Sequence, residues 1–445
     1  MAPPSARARP GRAHGRGTAS PWLRRERARA PAREWSDRVN RTSGTPPLDG
    51  VRVADFTWVW AGPFCTLQLA HLGAEVIRVE TAGRPCVTRL LPPWPDGQPG
   101  VNRSGYFNQY NQGKRSIALD LATEAGLEVA RDLVRTSDVV VDNFAAGVME
   151  RLGLGYEACR ALREDVVVIS LSGYGATGPE HGYVSYGPAQ VPLSGFSSVT
   201  GYPGWRPMHV GISYGDPTAG LHGAVAILAA LLYRRRTGEG QFIDLSQWES
   251  TMTLLPEAIL AETLGAGAPE RDGNHDALWS PHGVYRCRGE DRWVSIAVAT
   301  DDEWRALARL ALPDLEGDRA HASGVGRKAN EAEIDRRLGV WCAEKTREDV
   351  TEALQALGVA AFPVMDARDL HDDPHLSERG YWVELPHDEV GVRRHAGIPY
   401  RLHGTPLAVH RAAPCLGQDT SAVLREILRY DEARIRALQD AGVLR

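Results

Sequence analysis

The sequence predicts an α/β protein: a parallel sheet whose strands alternate with helices, followed by a smaller α+β unit. Three observations predict it. Short apolar runs recur between residues 51 and 246, with helical periodicity between them. The first two runs flank one helix, as a β-α-β unit requires. After a Gly/Ala/Pro-rich stretch at 265–274, the texture changes to a hairpin and amphipathic helices.

Taken in order, VRVADF (51–56) reads as a buried strand, PFCTLQLAHLG (63–73) as a helix closed by Gly73, and AEVIRVE (74–80) as the next strand. EAGLEVARDLVRTS (124–137) carries apolar residues at helical spacing, and DVVVDNF (138–144) follows as a strand. A helix over 148–163 leads to the strand DVVVISLSGYG (165–175). PTAGLHGAVAILAALLYRRR (217–236) is the most apolar helix; Arg234, Arg235 and Arg236 in its last turn suit the negative end of its dipole. GQFIDLS (240–246) is another strand, followed by a helix interrupted at Pro256. HGVYRCRGEDRWVSIAV forms a hairpin around Gly289-Glu290-Asp291, and helices near 302–311, 329–343 and 347–357 complete the smaller unit. YWVELP (381–386) returns to strand, and polar helices over 419–442 end the pattern. In a parallel sheet, ligands are expected at the carboxyl ends of the strands. WAGP stands after the first strand in place of G-x-G-x-x-G, which argues against a nicotinamide dinucleotide site.

Composition narrows the function classes. Hydrophobic residues at 43% and charged residues at 24% are ordinary for a soluble globular chain. No apolar run reaches the length of about 18 that a membrane span needs, so no membrane partner is expected. Six scattered cysteines without a C-x-x-C pair point to reduced thiols and a cytoplasmic protein. Residues 1–41 hold eleven Arg against Glu26, Glu34 and Asp37, leaving about −13 on the rest of a chain whose net charge is −5. An acidic body argues against a nucleic-acid partner, and residues 1–45 read as a disordered Arg-rich extension without the apolar core of a secretory signal.

The segment VGISYGDPTAGLHG (210–223) holds two candidate nucleophiles. Gly211-Ile-Ser213-Tyr-Gly215 fits the G-x-S-x-G elbow of a hydrolase, whose triad Asp366 and His403 could complete. Asp216 before Pro217 reads structurally as a helix N-cap with Pro at the first helical position. The same position suits a carboxylate nucleophile, because a helix N-terminus favours the anion and offers N–H groups to an oxyanion. Two further stretches have bland and functional readings. His371 and His375 in LHDDPHL have metal-ligand spacing with Asp372 and Asp373, but Pro374 favours a solvated turn. Lys114 and Arg115 in GKRS suit either a phosphate contact or a charged surface.

Several blocks, taken together and in order, resemble the class III CoA-transferases, a group that includes formyl-CoA, carnitine and benzylsuccinate CoA-transferases and the α-methylacyl-CoA racemases. They are LDGVRVADFTWVWAGPFCTLQLAHLGAEVIRVE, YNQGKRSIALDL, VVVDNFAAGVMERLGLGYE, ISLSGYGATGP, GISYGDPTAGLHGAVAILAAL, RDGN, PHGVYRC and DDPHLSERGYW. The resemblance implies a Rossmann-like large CoA-binding domain built from residues 46–264 and 366–445, a linker at 265–281 and a small domain at 282–365. It implies an interlocked homodimer, with a hetero-oligomer as the alternative. It makes Asp216 the catalytic nucleophile and coenzyme A, delivered as an acyl-CoA, the co-substrate; no metal is implied. Residues carried over to the CoA site are Trp60, Ala61, Leu119, Asp120, Leu121, Ala122, Asn143, Phe144, Ala145 and Arg151. Trp60, Tyr186, Gly215 and the 274–280 loop would shape the substrate pocket.

The expected activity is acyl-CoA:carboxylate CoA transfer through mixed anhydrides and an aspartyl-CoA thioester. Trp60 replaces the glutamine of the formyl-CoA branch, and HDALWS replaces that branch's glycine run after RDGN. A larger or hydrophobic carboxylic acid is therefore expected as partner substrate. Tyr186 and Gly187 stand where the family often has an acidic residue or a His-Asp pair, which weighs against the alternative of a CoA-ester racemase or isomerase. A non-catalytic subunit is the remaining alternative.

Overall fold

The computed structural model describes residues 44–267, 269–405 and 407–445, so the expected disordered extension lies outside the described residues except for Gly44 and Thr45. The described residues divide into a main unit, within 46–401 and 407–445, and a small remainder, Gly44 and Thr45 with residues 402–405. The three sheets belong to the main unit.

The main sheet has six strands: β1 (Arg52–Asp55), β2 (Glu75–Glu80), β3 (Arg115–Ala118), β4 (Val139–Asp142), β5 (Val167–Ser172) and β6 (Gln241–Ser246). Their order is β3-β2-β1-β4-β5-β6, and every neighbouring pair is parallel. This is the doubly wound order, in which the winding direction reverses between β1 and β4 and opens a crevice at their carboxyl ends. Side chains alternate between two cores. Ala54, Val140 and Val168 face one, whereas Val53, Val139 and Val167 face the other, so the strands read as continuous apolar runs.

The second core closes tightly around two helices. The helix Ala61–His71 follows β1, and the long helix Gly215–Thr237 joins β5 to β6. They meet through small residues: a Cβ added at Gly220 would lie 2.8 Å from the Ala61 carbonyl oxygen, and one at Gly223 only 3.1 Å from Cys65 Sγ. The long helix is long and apolar enough, by length and composition only, to cross a membrane. Here, however, Ala219, Ala224, Ile227 and Ala230 are packed into the core. Leu221, Val225, Leu232 and Tyr233 face outward and are exposed.

β3 escaped the sequence reading, because its four residues, RSIA, begin on a cation and show no apolar run. Its free edge is covered by the C-terminal segment: Ser116 N–H donates to Asp419 Oδ2 at 2.9 Å, and Ala118 N–H to Thr420 Oγ1 at 2.9 Å. The helix expected over 148–163 divides into Val148–Arg151 and Tyr156–Leu162, with Gly153 at φ 67° between them. The expected hairpin is β7 (His282–Arg286) with β8 (Trp293–Ala297), and a third strand, β9 (Ala360–Pro363), pairs antiparallel with β8. Their core is separate and centres on Trp304, Leu338 and Leu354. Strands β10 (Trp382–His387) and β11 (Gly391–Ala396) form an antiparallel ribbon.

Candidate active site

The crevice is built on the turn after β1, and each residue of that turn is held separately. Thr57 N–H donates to Asp55 Oδ1 at 2.9 Å, and the Asn143 amide clamps Trp58 on both sides (2.7 and 2.8 Å). Val59 N–H donates to Cys86 Sγ at 3.2 Å. Val59 itself sits at φ 63°, a costly conformation for a β-branched residue that the three anchors around it sustain. Beneath the turn, Lys114 Nζ reaches Asp55 Oδ2 at 3.2 Å and Thr66 Oγ1 at 2.7 Å, all of them buried. Burial alone would raise the Asp55 carboxyl, but Lys114 and Arg78 hold it below its usual range. Burial likewise lowers Lys114, to about 8, against the pull of Asp55. Lys114 is thus neither a surface charge nor a phosphate contact; it locks the turn from inside. Arg115 pairs instead with Glu75 on the neighbouring strand at 2.9 Å.

The turn delivers the helix Ala61–His71 with its first N–H aimed at Asp216. Asp216 is not the cap of its own helix: Gly215 begins that helix, Tyr214 holds the cap position and Asp216 is the second residue. Its carboxylate is therefore free to accept from the backbone N–H of Ala61, at the amino end of the other helix. Asp216 is buried, with 6% exposure. Burial raises its carboxyl to about 6 and the Ala61 N–H opposes that rise. At neutral pH the group is an anion, more basic than an ordinary carboxylate and held by a preset donor. Gly187 makes this possible, since a Cβ there would lie 1.5 Å from Asp216 Oδ2.

Asp216 opens into a cavity of about 490 Å³ lined by Val59, Trp60, Tyr106, Tyr186, Pro188, Ile212 and Ser213 among others. Trp60 packs on Tyr106 and Tyr110, with ring centroids 5.9 and 5.3 Å apart. Burial and the nearby Asp216 push the Tyr106 phenol up, so it stays protonated as a donor. None of the lining residues is a cation or a histidine.

A larger cavity, of about 810 Å³, is bordered by Trp58. Its walls are the ends of successive strands: Phe56 and Trp58 after β1, Thr81, Gly83 and Arg84 after β2, Leu119 to Ala122 after β3, and Phe144 after β4. The two cavities share no lining residue, but Trp58 borders the larger and Val59 and Trp60 border the smaller, so consecutive residues of the turn after β1 reach both.

This geometry is matched by ancestry: the model of CoA-transferase family III aligns with residues 48–420. The chain belongs to that family. A succinyl-CoA:mesaconate CoA-transferase of Haloarcula hispanica is 34% identical over 401 residues, covering 89% of this chain and 96% of the relative. A succinate–glutarate CoA-transferase of Agrobacterium fabrum is 33% identical over 86% of this chain and 96% of its own length. A formyl-CoA:oxalate CoA-transferase of Rhodopseudomonas palustris is 31% identical, covering 90% and 98%. A CaiB/BaiF family protein from Brucella suis superposes with a TM-score of 0.78 at 29% identity, covering 86% of this chain and all of that one. The protein is thus a CoA-transferase, an enzyme whose family acts on CoA thioesters and carboxylates.

Within this CoA-transferase the residues carried over from the sequence divide between the cavities. Leu119, Asp120, Leu121, Ala122 and Phe144 line the larger one; Trp60, Tyr186 and Asp216 line the smaller. Ala61 contributes its N–H to Asp216. Asn143, Ala145 and Arg151 border neither of these two cavities. Asn143 turns its amide onto Trp58, Ala145 lines a narrow cleft with Asp142 and Glu150, and Arg151 is exposed beside Gly147. Gly215 is packed under Gln190, where a Cβ would meet Gln190 Cβ at 2.8 Å, and lies outside the cavity lining. The 274–280 loop is also absent from that lining; His275 Nε2 ties it to Asp335 at 2.9 Å. Tyr106, Val59, Arg84 and Arg445 went unnoticed because no motif marks them.

The hydrolase reading fails on geometry. No strand precedes Ser213, so there is no elbow, and Asp366 is occupied as a helix cap and by Arg292 at 3.1 Å. Among the described residues no group of three or more His, Cys, Asp or Glu is placed to hold a metal; His371 pairs with Asp372 at 2.8 Å.

Proposed function

We propose that this enzyme transfers CoA from an acyl-CoA to an apolar or aromatic carboxylic acid through a covalent thioester on Asp216. The observation that carries the reading is the Asp216 carboxylate, buried on the Ala61 N–H and open to an aromatic cavity. An Asp216 oxygen attacks the thioester carbonyl, the C–S bond breaks, and an acyl-aspartyl anhydride and CoA thiolate result. The thiolate attacks the aspartyl carbonyl, forming aspartyl-CoA and releasing the first acid as its carboxylate. A second carboxylate attacks aspartyl-CoA, again expelling thiolate, which then takes the new acyl group and restores Asp216. No net proton or water is consumed. The Ala61 N–H is suited to hold the oxyanion formed at the aspartyl carbonyl.

Mesaconate, glutarate and oxalate, named in the relatives, carry two carboxylates each. The second would meet no cation among the residues lining this cavity, at a desolvation cost that an apolar acid avoids. The absence of a lining histidine favours transfer over α-proton exchange. The exposed Leu221, Val225 and Leu232 of the long helix suit a second copy of the chain, and we infer a dimer. Hydroxylamine added during reaction with acyl-CoA esters tests the nucleophile: an aspartyl hydroxamate at Asp216 by mass spectrometry is expected. Turnover without any modification of Asp216 would refute the mechanism. A panel of acids tests the substrate, with arylalkanoic and branched acids expected to exceed C4 and C5 dicarboxylates in kcat/KM; the reverse order overturns the substrate assignment.

A further inference from the structure

The larger cavity has apolar walls of Phe56, Val79, Leu119, Leu121, Phe144 and Leu152, yet two guanidinium groups stand among them. Arg84 comes from the segment after β2 and lies over the Trp58 ring at 5.3 Å. Arg445 comes from the far end of the chain. Its carbonyl accepts from Thr81 Oγ1 at 3.0 Å, and its side chain pairs with Asp120 Oδ2 at 3.1 Å, so it bridges the segments that follow β2 and β3. Both guanidinium groups are exposed, and neither belongs to the buried ion network beneath the sheet.

We propose that Arg84 and Arg445 form the cationic mouth of this cavity and select a ligand whose outer end carries a phosphate monoester, so that they set the preference for CoA over its 3′-dephosphorylated form. The inference rests on the CoA-transferase reading of the site. Asp120 now occupies the position of the anion: its second oxygen accepts from the Ala122 N–H at 3.1 Å and keeps the carboxylate oriented. A phosphate dianion outcompetes a carboxylate for a guanidinium, because it brings more charge and a third acceptor oxygen. Arg84 lines the same cavity with its guanidinium over the Trp58 ring, and its long side chain can reach a phosphate there. The apolar walls suit the uncharged part of such a ligand, which in CoA is the pantetheine arm.

Binding of CoA and of 3′-dephospho-CoA to the full chain is measured by calorimetry, which needs no turnover and no knowledge of the acid. Wild type is expected to prefer CoA by about tenfold or more, the effect of one charge-assisted contact. Arg84→Ala and Arg445→Ala should each lower that ratio toward one by weakening CoA alone, while Arg336→Ala, a remote exposed arginine, leaves it intact. Asp120→Asn, which keeps the acceptor for Ala122 and removes the competing charge, should raise the ratio. Unchanged ratios in both arginine variants, with CoA still bound, overturn this inference and leave the proposed function standing. Failure of wild type to bind either compound overturns both.

Discussion

Replacing Asp216 by Asn should abolish turnover and, above pH 6, make the fold more stable. The ordinary aspartate value of 3.8 is raised to about 6 in the folded state, with burial as the larger cause. That difference of roughly two pH units corresponds to about 3 kcal/mol at 1.36 kcal/mol per unit. At 6% exposure the carboxylate has little solvent to screen it, so little of that figure is lost. The sign follows from proton counting. Between pH 3.8 and 6 the folded state binds more protons at this site than the unfolded chain, so wild-type stability falls as pH rises through that window. Below it both states are protonated and the penalty vanishes; above it the penalty is constant. Asn does not titrate and carries no such slope. Urea unfolding of both proteins at intervals from pH 4 to 7.5 should therefore show the variant gaining about 2.4 kcal/mol on wild type, whatever the constant offset from its amide. A difference that stays flat with pH would falsify the claim that the nucleophile is held as a desolvated anion.

Other consequences can be measured independently. The kcat/KM of the wild type should rise with unit slope as pH climbs toward 6 and then level, since only ionised Asp216 attacks; a flat profile from pH 5 to 8 contradicts this. Gly187→Ala places a methyl 1.5 Å from Asp216 Oδ2, so activity should fall at least about a hundredfold from displacement of the carboxylate while circular dichroism stays native. Activity within a few-fold of wild type would mean that the 186–187 backbone yields easily. Lys114→Met leaves the Asp55 carboxylate buried without its ammonium, and chemical denaturation should show a loss of about 3–5 kcal/mol. Adding Asp55→Asn should recover part of that loss, and no recovery would mean that the lysine acts through packing alone.

Much of the fold was legible in local pattern. β1, β2, β4, β5 and β6 are apolar runs because both faces of the sheet are buried, and the helices between them show their periodicity directly. β3 was not legible, because its ladder is completed by Asp419 and Thr420, some three hundred residues away. At the site, Asp216 stood out as a carboxylate at a helix start, read either as a cap or as a nucleophile, and the cap reading does not hold. The helix begins one residue earlier, and the acceptor atoms are directed at a different helix.

The sequence by itself determined the α/β class, most of the strand and helix positions, and the candidacy of Asp216, since periodicity and helix-end chemistry are written in consecutive residues. Only the tertiary structure decided which groups act on one another. It placed Ala61 N–H on the Asp216 carboxylate, Gly187 against it, Lys114 under the turn, and Arg84 with Arg445 at one mouth. The reason is physical: desolvation and hydrogen bonding act over a few ångströms in space, and the winding of the six-stranded sheet sets which distant residues come that close.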